Sequence, residues 1–216
     1  MTLGLLAVAG LAALGDWVAV WRRRHRLEYL LKPVTLAVLI AAAATAELPG
    51  TKVWVVAALA LGLVGDIALM FSSDHPGPPD PQFLVGLGSF LLGHVCYLVA
   101  FTRYGVHPVP LIAGAAVVAT AAALTVPQVL SGARRTGGTP LLAIVAGYAG
   151  LLAAMAVLGV GTAAPATAIG ALLFLASDSA LAWERFVRPL SHGPLLVIVS
   201  YHLAQTLILV GLVRAF

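Results

Sequence analysis

The chain has 216 residues, 61% hydrophobic and 9% charged, where an ordinary soluble domain carries about 25% charged residues. A mean hydropathy of +1.04 leaves too little polar surface to coat a water-soluble globule. The net charge of +4 comes from basic residues that punctuate apolar runs instead of forming one face, which excludes a nucleic-acid partner and points to an all-α, polytopic membrane bundle.

Spans of about 20 residues fit eight times along the chain, near 3–21, 30–46, 53–71, 83–101, 109–127, 140–160, 166–183 and 194–213. The opening MTLGLLAVAG lacks the basic leader of a cleavable signal, and RRRHR (22–26) follows the apolar run, so the run reads as a retained first span. The other breaks are LPG (48–50), SSDHPGPPDP (72–81), YGVHP (104–108), SGARRTGG (131–138), GTAAP (161–165) and RPLSHGP (188–194). All are short, so residues 1–216 are expected to form a single eight-helix transmembrane domain. Cys96, the lone cysteine, falls within the fourth span and has no partner for a disulfide.

Orientation follows from the basic residues. Arg22, Arg23, Arg24, Arg26, Lys32, Arg134, Arg135, Arg185 and Arg188 fall at one end of the spans, and Lys52, Arg103 and Arg214 at the other. The positive-inside rule places the larger set in the cytoplasm and both termini outside, in a cell (inner or plasma) membrane.

Three aspartates interrupt the apolar runs: Asp16 in ALGDWVAVW, Asp66 in LVGDIALMF and Asp178 in LFLASDSALAW. An ionisable group inside a spanning helix costs roughly 3 kcal/mol on insertion scales, so it reads as functional by default. With this topology each lies roughly 8–9 Å below the cytoplasmic surface. Returning spans bring Lys32 to that edge, Tyr148, Tyr201 and His202 to roughly 12 Å depth, and His94 and Gln205 nearer the midplane. Outer-half runs such as AVLIAAAATA (37–46) are almost free of polar groups. One cavity opening to the cytoplasm is therefore expected.

Helical spacing sharpens this expectation. Gly86, Phe90, His94 and Tyr97 share a face of the fourth span, Gly170, Phe174 and Asp178 a face of the seventh with Ser177 alongside, and Tyr201 and Gln205 a face of the eighth. His202 points about 100° away from Tyr201. Glycines 62, 65, 86, 93, 147, 150 and 170 suit close helix approach. Asp16, near a span end beside Trp17, reads as structural, and RRRHR as a topology determinant. Asp66 and Asp178, in matching depth and small-residue contexts, read as the functional pair.

With these residues in view, the sequence resembles the YhhN family of integral membrane proteins, the lysoplasmalogenase family. The resemblance is carried by Lys32-Pro33, GDIAL (65–69), GLGSFLLGHVCY (86–97), Tyr148, GALLFLASDSALAWERF (170–186) and SYHLAQTLILVG (200–211). Tyr201-His202 departs from the tyrosine pair expected there. The resemblance implies hydrolysis of the vinyl ether of lysoplasmalogens to a fatty aldehyde and a glycerophospho-alcohol. The implied partners are a lysophospholipid substrate and the lipid bilayer, with no cofactor and no metal.

The chemistry fits the residues. A vinyl ether resists base and breaks through protonation of its distal alkene carbon, which yields an oxocarbenium ion that water attacks. The reaction needs one carboxyl that holds its proton at neutral pH and one carboxylate that stabilises the cation and deprotonates water, as in glycosidases. Asp66 and Asp178 are the expected catalytic pair. Lys32 would meet the phosphate, and His94, Tyr97, Tyr148, Ser177, Tyr201 and Gln205 would position water or substrate, with His202 a further candidate. Two alternatives come from other classes. One is a zinc lipid hydrolase on His94, His202, Asp66 and Asp178, although such sites usually take about three nitrogen or sulfur ligands. The other is a proton-coupled transporter, which would need a polar path through the outer half.

Overall fold

The computed structural model describes residues 1–72 and 79–213; most of the 72–81 connection, and Arg214 of the outer basic set, lie outside them. Among these residues seven helices follow one another: α1 Thr2–Trp21, α2 His25–Thr45, α3 Lys52–Met70, α4 Pro81–Tyr104, α5 Pro108–Gly161, α6 Pro165–Phe186 and α7 Gly193–Leu212. Their starts follow the prolines. Pro81, Pro108, Pro165 and Pro194 sit in first turns, where a missing N–H costs nothing. Asp80 adds a cap, accepting from the Phe83 N–H at 2.7 Å.

The 54 residues of α5 would run about 80 Å as one straight helix, far more than the roughly 30 Å hydrocarbon core. The helix breaks at Gly137 (φ −140°) and Gly138 (φ 67°), and the left-handed backbone at Gly138 is one that glycine adopts without a Cβ penalty. Two arms result. They run antiparallel, because a Cβ on Gly114 would meet Val160 at 2.8 Å and the His107 N–H donates to the Gly161 carbonyl. Counting the two arms separately gives eight helical segments among the described residues, against the eight spans expected. The expected 131–138 connection is not a loop, however: helix persists to its last two glycines. The second helix also starts earlier than expected, at His25, so Lys32 and Pro33 lie inside it.

The helices pack in chain order, and α7 closes the ring against α1 and α2. The bundle has an apolar outside and a partly polar inside. Leu3, Leu11, Leu14, Val109, Ile112 and Leu124 are exposed, whereas Asp16, Asp66, His94, His202 and Gln205 are buried. All seven helices are long and apolar enough to cross a membrane. Water would not tolerate such a surface, and lipid does. The protein is a multi-pass membrane protein.

Small residues decide how closely the helices meet. A Cβ on Gly170 of α6 would lie 2.8 Å from the Ile208 nitrogen and 2.9 Å from the Ala204 oxygen, both backbone atoms of α7. Neither helix can yield without moving as a whole. Gly170→Ala is expected to destabilise by about 1–3 kcal/mol, read as earlier thermal unfolding in detergent. Gly88→Ala, with nothing within 4 Å of the new methyl, is the matched control and should be near neutral. Equal unfolding of the two variants would refute the close-packing role. The expectation for Gly147 and Gly150 fails, since both face outward with no neighbour within 4 Å.

Candidate functional site

Between α3, α4, both arms of α5 and α6 lies a cavity of about 770 Å³, counted with the space at its open mouth. Its walls are mainly apolar, with Phe83, Leu87, Phe90, Val129, Val145 and Leu152 among them. Its polar lining is Thr125, Tyr148, Asp178, Ser179 and Arg185. Of the catalytic and positioning residues expected from the sequence, Asp178 and Tyr148 reach this cavity.

The helical register of α6 places Asp178 there. Gly170 and Phe174, two turns and one turn earlier, face α7 and the core, and Asp178 follows on the edge of that face with its side chain 10% exposed. The Tyr148 hydroxyl donates to Asp178 Oδ2 at 2.5 Å. His94 Nε2 stands 3.6 Å from the same oxygen, beyond hydrogen-bond length. The imidazole is buried at the edges of Phe174 and Tyr148, with ring centroids 4.9 and 5.3 Å away.

Asp66 heads a second group. It is 2% exposed, and Lys32 Nζ lies 3.2 Å from its Oδ1. This changes the expectation for Lys32, which is drawn into the bundle as the partner of Asp66 instead of waiting at the membrane edge. One turn before Asp66, Gly62 leaves room for α7: a Cβ there would meet the Tyr201 hydroxyl at 2.8 Å and Gln205 Nε2 at 3.1 Å. Tyr201 and Gln205 thereby pack together against α3, one turn from Asp66. The Tyr97 hydroxyl donates to Gln205 Oε1, which orients the amide from α4.

The two groups are neighbours without sharing the open cavity. Phe90 packs on Gly65, whose Cβ would meet its ring at 2.7 Å, and edge-on against Tyr201 at 5.8 Å. Phe174 meets Tyr201 at 5.5 Å and His94 at 4.9 Å. The expected common cavity is thus corrected: the pocket opens on Asp178 and Tyr148, while Asp66, His94, Tyr97, Tyr201 and Gln205 pack behind Phe90 and Phe174.

Two other expectations change. The Ser177 hydroxyl donates to the Val197 carbonyl at 3.0 Å, so it fastens α6 to α7 and does not accompany Asp178 into the cavity. His202 is buried on the far side of α7, where Nδ1 accepts from Trp17 Nε1 at 3.2 Å and ties α7 to α1. Asp16, beside Trp17, is fully buried. Among the described residues no three His, Cys, Asp or Glu side chains gather as a metal site requires, so the zinc alternative has no ligand set there. Arg185, read from the sequence only as a topology charge, also lines the cavity. Its signal was the i, i+7 spacing from Asp178, which repeats one helix face every two turns.

The sequence model of the YhhN family matches residues 27–212. Among curated proteins, the chain is 34% identical over 151 residues to the protein named lysoplasmalogenase TMEM86B from Sus scrofa, covering 70% of this chain and 59% of that one. It is 30% identical over 158 residues to the protein of the same name from Homo sapiens, covering 73% and 62%. The chain thus spans about three fifths of the length of these relatives. No solved structure matches it.

Proposed function

We propose, from the premise that this chain belongs to the YhhN family, that it is a membrane-embedded hydrolase of the vinyl ether bond of lysoplasmalogens. The observation that carries the reading is a carboxyl group, Asp178, opening onto an apolar cavity, with a second carboxyl, Asp66, buried against Lys32 next to Gly65, on which Phe90 of the cavity wall packs. The apolar walls suit a lipid chain, and the carboxyl suits the one chemistry that a vinyl ether readily undergoes.

In this reading Asp178 is the acid. It touches the cavity, and its partners are a phenol and an imidazole instead of a fixed cation. Its proton passes to the distal alkene carbon, the double-bond electrons form the new C–H bond, and an oxocarbenium ion develops at the carbon attached to oxygen. Asp66, against the Lys32 ammonium, is the standing carboxylate whose field opposes that positive charge. Water adds to the cation and loses a proton to Asp178, which is thereby restored. The hemiacetal then collapses: its hydroxyl proton reaches the departing glycerol oxygen, and the aldehyde leaves. Tyr148 holds Asp178 in place, while Gln205 and Tyr201 hold the Asp66 side. The whole chain acts as one eight-span unit.

The test is aldehyde release from lysoplasmenyl-ethanolamine and lysoplasmenyl-choline by purified protein in detergent. In heavy water the aldehyde should carry one deuterium on the carbon next to its carbonyl, the mark of alkene protonation. Failure to release aldehyde from either lipid would overturn the reading.

The cavity mouth is proposed to face the cytoplasm, with both termini outside, on the strength of the unequal division of Lys and Arg between the two ends. A reporter active only in the cytoplasm should be silent when fused after Phe216 and active when fused to a chain ending at Gly137. The reverse pattern would invert the orientation.

A further inference from the structure

We propose that Asp16, Lys32 and His202 form a buried water site where α1, α2 and α7 meet, and that it feeds the hydrolytic water along a polar seam to Asp178 while lipid fills the cavity. The inference rests on the reading of Asp178 and Asp66 given above. It gives Asp16 and His202, which the acid step does not use, a role as positioning residues for water.

The site is built from three helices at one level. A Cβ on Gly15 would lie 3.0 Å from Leu31 Cδ1, which sets Asp16 of α1 level with Lys32 of α2. Trp17, the next residue of α1, donates its indole N–H to His202 Nδ1 of α7 at 3.2 Å. With Nδ1 accepting, the neutral imidazole carries its proton on Nε2. That nitrogen and both carboxyl oxygens of Asp16 are buried with no hydrogen-bond partner among the described residues. One group needs an acceptor and the other needs donors. Water answers both, as ordered water commonly does for buried polar groups.

The same signature continues inward. Lys32 Nζ reaches Asp66 Oδ1 at 3.2 Å, and Asp66 Oδ2 has no hydrogen-bond partner among the described residues. Tyr201 and Gln205 follow across Gly62, one turn from Asp66. Both nitrogens of His94 again lack a hydrogen-bond partner there, and Nε2 stands 3.6 Å from Asp178 Oδ2. The Lys32 side chain is 17% exposed and that of Asp178 10%. Between them Asp66, Tyr201, Gln205 and His94 are 4% exposed or less. The seam therefore reaches the outside at two ends, and one of them is the cavity.

A bound lipid makes the other end necessary. The cavity is mainly apolar, and an alkyl chain lying in it excludes water from that side. The oxocarbenium carbon must still receive one water, whose oxygen forms the new C–O bond and whose proton goes to Asp178. Supply from behind the chain delivers that water without exposing the acid to bulk solvent.

The experiment measures kcat for lysoplasmenyl-ethanolamine in light and heavy water. Alkene protonation is the slow step of vinyl ether hydrolysis, so wild type should be clearly slower in heavy water. Asp16→Leu and His202→Phe fill the site with apolar groups and should lower kcat about ten- to hundredfold, the scale of a lost positioning effect. Their solvent isotope effect should shrink toward one, because water addition becomes limiting. The conservative Asp16→Asn and His202→Gln should recover most of the rate and of the isotope effect. A second measurement needs no catalysis. Hydroxyl-radical footprinting of wild type in detergent should label His202 and Tyr201, whereas Met155 and Phe101, equally buried in apolar surroundings, should stay unlabelled. An undiminished isotope effect in both apolar variants, or His202 and Tyr201 as unlabelled as Met155, overturns the path. If wild type releases no aldehyde, yet the labelling is present and is lost in Asp16→Leu, the water site stands and the vinyl ether reading falls.

Discussion

Asp178→Asn should lower aldehyde release by at least a factor of about a hundred, because general acid catalysis is typically worth 10²–10⁴-fold. The amide keeps the size of the side chain and can still pair with Tyr148, whose hydroxyl donates to Oδ2. It has no acidic proton for the alkene carbon and cannot take one from water. Thermal unfolding should stay near wild type, since Asp178 lines a cavity and no cation is left stranded by its loss. Asp66→Asn should cost a similar factor for a different reason, the loss of the negative charge facing the oxocarbenium ion. Because the two groups serve one step, the double variant should be little worse than either single one. If both single variants are well folded by size exclusion and keep most of the activity, the carboxyl-pair mechanism is wrong.

Removing Lys32 should have the largest effect on stability. Its ammonium lies 3.2 Å from Asp66, with side-chain exposures of 17% and 3%. Lys32→Met leaves a carboxylate buried without its partner, which costs about 3–5 kcal/mol. Replacing both groups is far less costly, because a buried ion pair roughly repays only its own desolvation. Lys32→Met should therefore unfold at markedly lower temperature in detergent, and Lys32→Met/Asp66→Asn should recover most of the loss while remaining inactive. Stability of Lys32→Met equal to wild type would show that the pair does not hold Asp66. Failure of the double variant to recover would place the defect in packing around α2, where Lys32 precedes Pro33.

The polar faces legible in the sequence are found largely where the 3.6-residue repeat puts them. Gly86, Phe90, His94 and Tyr97 are all buried on one side of α4, and Tyr201 and Gln205 on one side of α7. Periodicity is a local property, so one helix suffices to reveal it. The partners of those faces were not legible. Nothing in the spacing of α2 says that Lys32 turns inward to Asp66, or that the Ser177 hydroxyl goes to Val197. Each depends on how far one helix is rotated and slid against another. Depth in the membrane, read from topology, grouped Asp66 with Asp178, yet depth says nothing about the aromatic ring between them.

By itself the sequence determined that this chain crosses a membrane about eight times and which few polar groups lie within lipid reach. These follow from hydropathy, from prolines in first turns and from two glycines that reverse α5 at residues 137 and 138. Only the tertiary structure decided that Asp178 and Arg185 line a cavity while Asp66 stands behind Phe90 paired to Lys32. The reason is physical. Spans are selected one at a time by transfer into lipid, whereas a cavity is what remains when several helices have stopped approaching one another, and Gly62, Gly65 and Gly170 set how near they come.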